Sequence, residues 1–121
     1  MNIRFGSSQI HKVGVFACVD FQIGEKIEIC PIILVPKKDR HLIDQTILYN
    51  YYFDWRGKEA IALGYGSLYN HSYSPNAKYT KDFCNNCIEF VAIRPIKKDQ
   101  EILVNYNGLP SSKKKVWFNS K

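Results

Sequence analysis

The chain has 121 residues, a formal net charge of +6, and a composition that is 45% hydrophobic and 14% aromatic. That describes one compact domain with enough apolar matter for a core, which excludes wholesale disorder and leaves no room for a second domain. No apolar run reaches the roughly 18 residues of a membrane span, and Met1-Asn2-Ile3-Arg4 lacks the apolar stretch of a secretory leader, so a soluble intracellular protein with no membrane partner is expected.

Cys18, Cys30, Cys84 and Cys87 are accordingly expected as reduced thiols rather than a disulfide framework. The basic excess, partly gathered in Lys113-Lys114-Lys115, suits acidic partners including nucleic acid and equally suits a solvated surface.

In chain order, short β-branched and aromatic runs cut by turn residues predict strands at 13–19, 26–29, 32–35, 60–63, 88–93 and 101–104. Only 41–50 offers a helical face, with Leu42, Gln45, Thr46 and Tyr49 spaced three or four apart. The chain therefore reads as mainly β with one or two short helices. Phe21 to Ile27 echoes Ile96 to Ile102: an apolar residue, a polar turn, then a strand opening on Ile. Gly24 and Asp99 both suit the positive φ of a tight turn. Any two turns leading into strands share such features, so the echo does not make a repeat protein.

Gly64-Tyr65-Gly66 follows a strand, but the third glycine and the helix of a dinucleotide loop are missing. Cys84-Asn85-Asn86-Cys87 has metal-ligand or redox spacing, yet no second pair lies at a suitable distance, and it reads as a hairpin loop. His71 and Ser72 are neighbours on an extended chain and point to opposite sides, which argues against a nucleophile–base pair. Around them, Asn70, Ser72, Ser74 and Asn76 can bond backbone groups while Pro75 fixes a turn, giving a rigid polar loop. Aromatic residues crowd the middle of the chain; most are expected in packing, and some could line a narrow channel that suits a cation.

Four segments in order resemble the SET-domain family of protein lysine methyltransferases, in its minimal free-standing form. Val13-Gly14-Val15-Phe16-Ala17 resembles the opening strand, and Tyr51-Tyr52-Phe53-Asp54 an internal motif. Asn70-His71-Ser72-Tyr73-Ser74-Pro75-Asn76 and Glu101-Ile102-Leu103-Val104-Asn105-Tyr106 resemble the two signatures. The likeness runs from about residue 3 to 108, leaving 109–121 as a basic tail.

The resemblance implies several small twisted sheets with a knot-like C-terminal threading that sets Asn70-His71 beside the end of the Tyr106 strand. It implies S-adenosylmethionine as methyl donor and a lysine-containing protein as substrate, with histones among the expected targets. Lys12, Val13 and Gly14 are expected to supply backbone contacts to this cofactor, and Asn70 and His71 side-chain and main-chain contacts. Tyr51 would lie between cofactor and lysine channel, Tyr106 would be the catalytic tyrosine, and Trp117 or Phe118 in the tail would cover the adenine. Asp54, Glu59 or Glu89 would have to line the groove for a basic peptide to dock on a positive surface, and the small Val104 would leave room for more than one methyl group.

Two departures stand out. Lys12 replaces the family's first glycine, which opens the alternative of a silent SET-like module binding basic tails or nucleic acid. Tyr73 takes the place of a common zinc-ligating cysteine, and the cysteine-rich tail is missing, so no structural zinc is expected. A small basic nucleic-acid-binding β-protein would fit the charge but gives no reason for the ordered motifs. Pairing with a second copy is a further expectation for so small a domain.

Overall fold

A computed structural model describes residues 2–116. Among the described residues nine strands dominate: β1 (Ile3–Ser7), β2 (Val13–Ala17), β3 (Lys26–Val35), β4 (Phe53–Trp55), β5 (Lys58–Ala62), β6 (Asn70–His71), β7 (Ala77–Asp82), β8 (Cys87–Ala92) and β9 (Glu101–Val104). They form two sheets, one of order β1-β2-β9-β6 and one of order β4-β5-β3-β8-β7. All neighbours are antiparallel except β6 and β9, which run parallel with Asn70 opposite Leu103 and His71 opposite Val104. The expected meeting of the Asn70-His71 segment with the end of the Tyr106 strand is this pair.

Alternation along the strands builds the core. In β8, Ile88, Phe90 and Ala92 turn inward while Cys87, Glu89 and Val91 alternate with them. Val15 and Ala17 of β2, Ile102 and Val104 of β9, and Cys30 of β3 join them, with Tyr69 stacked on Phe90 at a ring separation of 4.1 Å. The expected strands are present within two residues of their bounds with one correction, while β1, β4, β6 and β7 were not expected. Residues 26–29 and 32–35 belong to a single strand that continues through Pro31. It changes partner there, from β8 to β5, so the missing N–H of proline costs little.

The expected helix at 41–50 is a second correction. A 3-10 turn (Lys37–Asp39), a single helical turn α1 (Arg40–Ile43) and another 3-10 turn (Ile47–Asn50) replace it. Thr46 causes the break: its backbone is extended (φ −114°, ψ 171°), and its hydroxyl donates to the Ile43 carbonyl at 2.6 Å and accepts from Leu48 N–H at 3.2 Å. Arg40 fastens this segment to β5 through Nε, 3.2 Å from the buried Glu59 carboxylate.

The internal echo is structural. Gly24 and Asp99 both have positive φ, at 90° and 73°. Phe21 and Ile96 pair with each other through hydrogen bonds of 2.7 and 2.9 Å. Gln22 N–H is capped by the Glu25 carboxylate and Lys97 N–H by the Gln100 amide oxygen. Cys84-Asn85-Asn86-Cys87 forms the β7–β8 hairpin turn, where the Asp82 carboxylate accepts from Cys84 and Asn85 N–H. Among the described residues all four cysteines are free, no group of three or more His, Cys, Asp or Glu gathers as a metal set, and no helix is long and apolar enough to cross a membrane. Trp117 and Phe118 lie outside the described residues.

Candidate active site

The parallel seam between β6 and β9 carries the signature residues. Asn70 is buried, and its Nδ2 lies 2.8 Å from Glu101 Oε2, 3.1 Å from Ser8 Oγ, and 3.0 and 3.3 Å from the carbonyls of Val13 and His11. Ser8 Oγ in turn donates to the Glu101 carboxylate at 2.8 Å and accepts from Ile10 and His11 N–H. The loop between β1 and β2 is thus tied to β6 and β9. Gly14 is the point of closest approach: a Cβ there would collide with the Glu101 carboxylate and come within 3.0 Å of Asn70 Nδ2.

Lys12 sits on this loop with its side chain exposed, and its carbonyl accepts from Ser8 N–H at 3.2 Å. The carbonyls of Lys12 and Val13 are therefore used inside the protein. The Asn70 amide is used the same way, as a brace for the loop, a role the sequence reading did not anticipate.

His71 Nδ1 accepts the Tyr106 N–H at 3.0 Å, so the imidazole is neutral with its proton on Nε2. Burial holds its pKa below the ordinary 6.5, in agreement. Nε2 is buried and meets no hydrogen-bond partner among the described residues. Tyr73 packs edge-on against this ring at 4.4 Å.

Tyr106 follows β9 and donates its hydroxyl to the Tyr69 carbonyl at 2.6 Å, while its own carbonyl accepts the Tyr79 hydroxyl at 3.0 Å. Burial, with Tyr51 and Tyr79 nearby, pushes the Tyr106 phenol well above its ordinary value, so it stays protonated. Behind it, Tyr69 donates its hydroxyl to Glu28 Oε1 at 2.7 Å, and Glu28 Oε2 accepts the Tyr65 N–H at 3.0 Å.

A cavity of about 490 Å3 opens here, with Tyr51, Tyr52, Phe53, Tyr69, Tyr79 and Tyr106 among its walls and Val104 beside them. It includes Tyr51 and Tyr106 but not Lys12, Gly14, Asn70 or His71. The expected residues therefore divide between an aromatic cavity and a polar seam, and the β9 end joins the two. Asp54 lines the cavity, together with Lys81 and Lys114. Glu59 and Glu89 do not: the first is buried against Arg40 and the second pairs with Lys26 at 3.8 Å.

Ser8 and Glu28 were not singled out by sequence reasoning, and Tyr69 stood only among the crowded aromatics of which some could line a channel. Their partners lie 93, 41 and 37 residues away, beyond any local pattern.

Comparison with known proteins agrees with this geometry. Residues 12–107 match the family described as SET domain. A Schizosaccharomyces pombe protein described as a histone-lysine N-methyltransferase, H3 lysine-37 specific, is 37% identical over 107 residues, covering 87% of this chain and 69% of the relative. A crystal structure of a candidate histone methyltransferase from Plasmodium falciparum superposes with a TM-score of 0.70 at 33% identity, covering 87% of this chain and 92% of the other. A humanized mutant of the Chaetomium thermophilum Polycomb Repressive Complex 2 shares the fold at 21% identity and a TM-score of 0.70, over 89% of this chain and 15% of that one. With the fold, the seam and the ordered motifs in agreement, this chain belongs to the SET-domain family of protein lysine methyltransferases.

Proposed function

We propose that this protein transfers methyl groups from S-adenosylmethionine to the ε-amine of a histone lysine. The observation that carries the reading is the Tyr106 phenol, held at 2.6 Å by the Tyr69 carbonyl, in an aromatic cavity that Tyr51 also lines. The histone target is supported by two relatives above 30% identity, one described as a histone-lysine N-methyltransferase and the other as a candidate histone methyltransferase.

The residues suit the cofactor that SET methyltransferases generally use. His71 Nε2–H is a buried donor with no acceptor among the described residues, and an adenine nitrogen or a carboxylate would satisfy it. Asn70, Gly14 and the loop through Lys12 and Val13 form the rest of the cofactor side, with the exposed Lys12 side chain no obstacle to it. When bound, the sulfonium supplies an activated methyl group and a positive charge.

The chain's own groups do the remainder. A lysine at pH 7 must lose a proton to attack, which costs about 4–5 kcal/mol from its ordinary pKa. Aromatic walls from Tyr51, Tyr52, Phe53 and Tyr79 strip water from the ammonium and favour the neutral amine. The bond to the Tyr69 carbonyl aims the Tyr106 hydroxyl, and a phenol oxygen so placed can accept weak CH···O contacts from the methyl group in flight. Alignment contributes most, because the displacement is in line. The small Val104 among the cavity walls leaves room for a nitrogen that already carries a methyl.

The test is incubation with labelled S-adenosylmethionine and core histones, comparing wild type with Tyr106→Phe. The expected outcome is labelled histone, lost in the variant while cofactor affinity is retained. Absence of label on any protein, or equal loss of turnover and affinity, would overturn the proposal.

A further inference from the structure

Resting on the methyl-transfer reading, the stretch after β9 brings a lysine of this same chain to the cavity. Lys114 lines it together with Tyr51, Val104 and Tyr106. Its carbonyl is held by two donors, Asn107 Nδ2 at 2.6 Å and the Tyr73 hydroxyl at 3.0 Å. Upstream, Asn105 Nδ2 donates to the Ser112 carbonyl at 2.8 Å and to the Pro110 carbonyl at 3.4 Å, and Lys114 N–H donates to Ser112 Oγ at 3.2 Å. Side chains flanking Tyr106 thus pin the stretch 110–114 without strand pairing, and Lys114 within it lines the cavity. This is how a peptide substrate would have to be held: a main chain pinned beside the cavity and a lysine at the point of contact.

We propose that Lys114 is a site of self-methylation within one molecule. Tethering through residues 107–113 makes presentation of this amine unimolecular, so it is favoured over any free lysine by a high effective concentration. Lys81, which also lines the cavity, is paired opposite Ile88 one residue from the end of β7, so its backbone is fixed in the sheet while that of Lys114 is held by side chains alone. In the transfer, the lone pair of Lys114 Nζ forms the new N–C bond. The methyl–sulfur bond breaks, its electron pair stays on sulfur as a thioether, and the surplus ammonium proton passes to water.

The experiment uses the full chain with S-adenosylmethionine bearing a heavy methyl group, no other protein present, and a parallel reaction containing core histones. Modified lysines are mapped by mass spectrometry in wild type, Lys114→Arg, Lys113→Arg and Lys115→Arg, across a dilution series of the enzyme. Arginine keeps the charge and cannot be deprotonated to serve as acceptor, and matching thermal melts show that the variants fold. The expected result is label on Lys114, lost in Lys114→Arg, kept in the other two, at a rate per molecule independent of enzyme concentration. Labelled histones beside unlabelled enzyme would overturn the inference and leave the methyl-transfer reading standing. Label on Lys81, Lys113 or Lys115 in place of Lys114, or a rate per molecule that rises with concentration, would also overturn it. No label on any protein would end both.

Discussion

The Tyr69 carbonyl accepts the Tyr106 hydroxyl at 2.6 Å, so a main-chain oxygen aims the phenol on which the proposed chemistry turns. Tyr69 is itself immobilised, stacked on Phe90 and bonded through its hydroxyl to Glu28 at 2.7 Å. Glu28 lies on β3, outside the cavity walls, and is linked to Tyr106 through this relay.

Glu28→Gln should therefore impair turnover without direct contact with substrate. The carboxylate accepts from Tyr69 O–H on one oxygen and Tyr65 N–H on the other, whereas an amide turns a donor toward one of them. A loss of roughly 1–3 kcal/mol in stability is expected from the unsatisfied buried donor, with kcat falling about tenfold, equivalent to 1.4 kcal/mol. Steady-state kinetics and urea melts together check it; unchanged kcat in a destabilised variant would confine Glu28 to a folding role.

Acid should weaken the seam through His71. The folded imidazole has its pKa depressed by burial, and Nδ1 must stay unprotonated to accept the Tyr106 N–H. Below the ordinary value of 6.5 the unfolded chain binds the proton first. The stability due to neutral His71 is therefore present above pH 6.5 and is lost as pH falls through the folded pKa. His71→Asn, whose side-chain oxygen can still accept, should flatten that part of the stability–pH profile. An unchanged slope would show that other groups dominate there.

How much of this was legible in the sequence depends on the range of the cause. Alternation in 88–93 and 101–104, and the turn chemistry of Gly24 and Asp99, act within a few residues and were readable. The break at Thr46 was not, since helical spacing across 41–50 says nothing of a hydroxyl that bonds both sides of its own turn. The expected separation of 26–29 from 32–35 erred in the other direction: a strand that changes partner at Pro31 runs on through it. The motifs brought Asn70, His71 and Tyr106 to notice. What Asn70 holds could not be read, because Ser8 and Glu101 meet it only after both sheets have formed.

Asn76 illustrates a motif residue acting as a clip. Its Oδ1 accepts Leu103 N–H at 2.8 Å and its Nδ2 donates to the Glu101 carbonyl at 2.9 Å, so the side chain imitates a neighbouring strand for β9. Asn76→Ala should cost roughly 1–3 kcal/mol by leaving buried backbone groups unpaired. Asn76→Asp, which keeps the acceptor and loses the donor, should fall between alanine and wild type. Equal melting of all three in denaturant titrations would refute the clip.

Gly14→Ala tests the seam most directly. The glycine's φ is not the constraint; the space is, because a methyl group there would strike the Glu101 carboxylate. That carboxylate cannot swing away freely, since Ser8 Oγ and Asn70 Nδ2 both hold it. The loop must then lift from β9, breaking charge-assisted hydrogen bonds, and a destabilisation of about 2–4 kcal/mol is expected from overpacking and lost polar pairing. Because Gly14 directly follows Lys12 and Val13, cofactor affinity should fall more than kcat at saturating cofactor. The pattern is the reverse of that expected for Tyr106→Phe. Titration calorimetry beside kinetics separates the two, and a Gly14→Ala protein that binds the sulfonium compound as tightly as wild type would show that the loop is not part of its site.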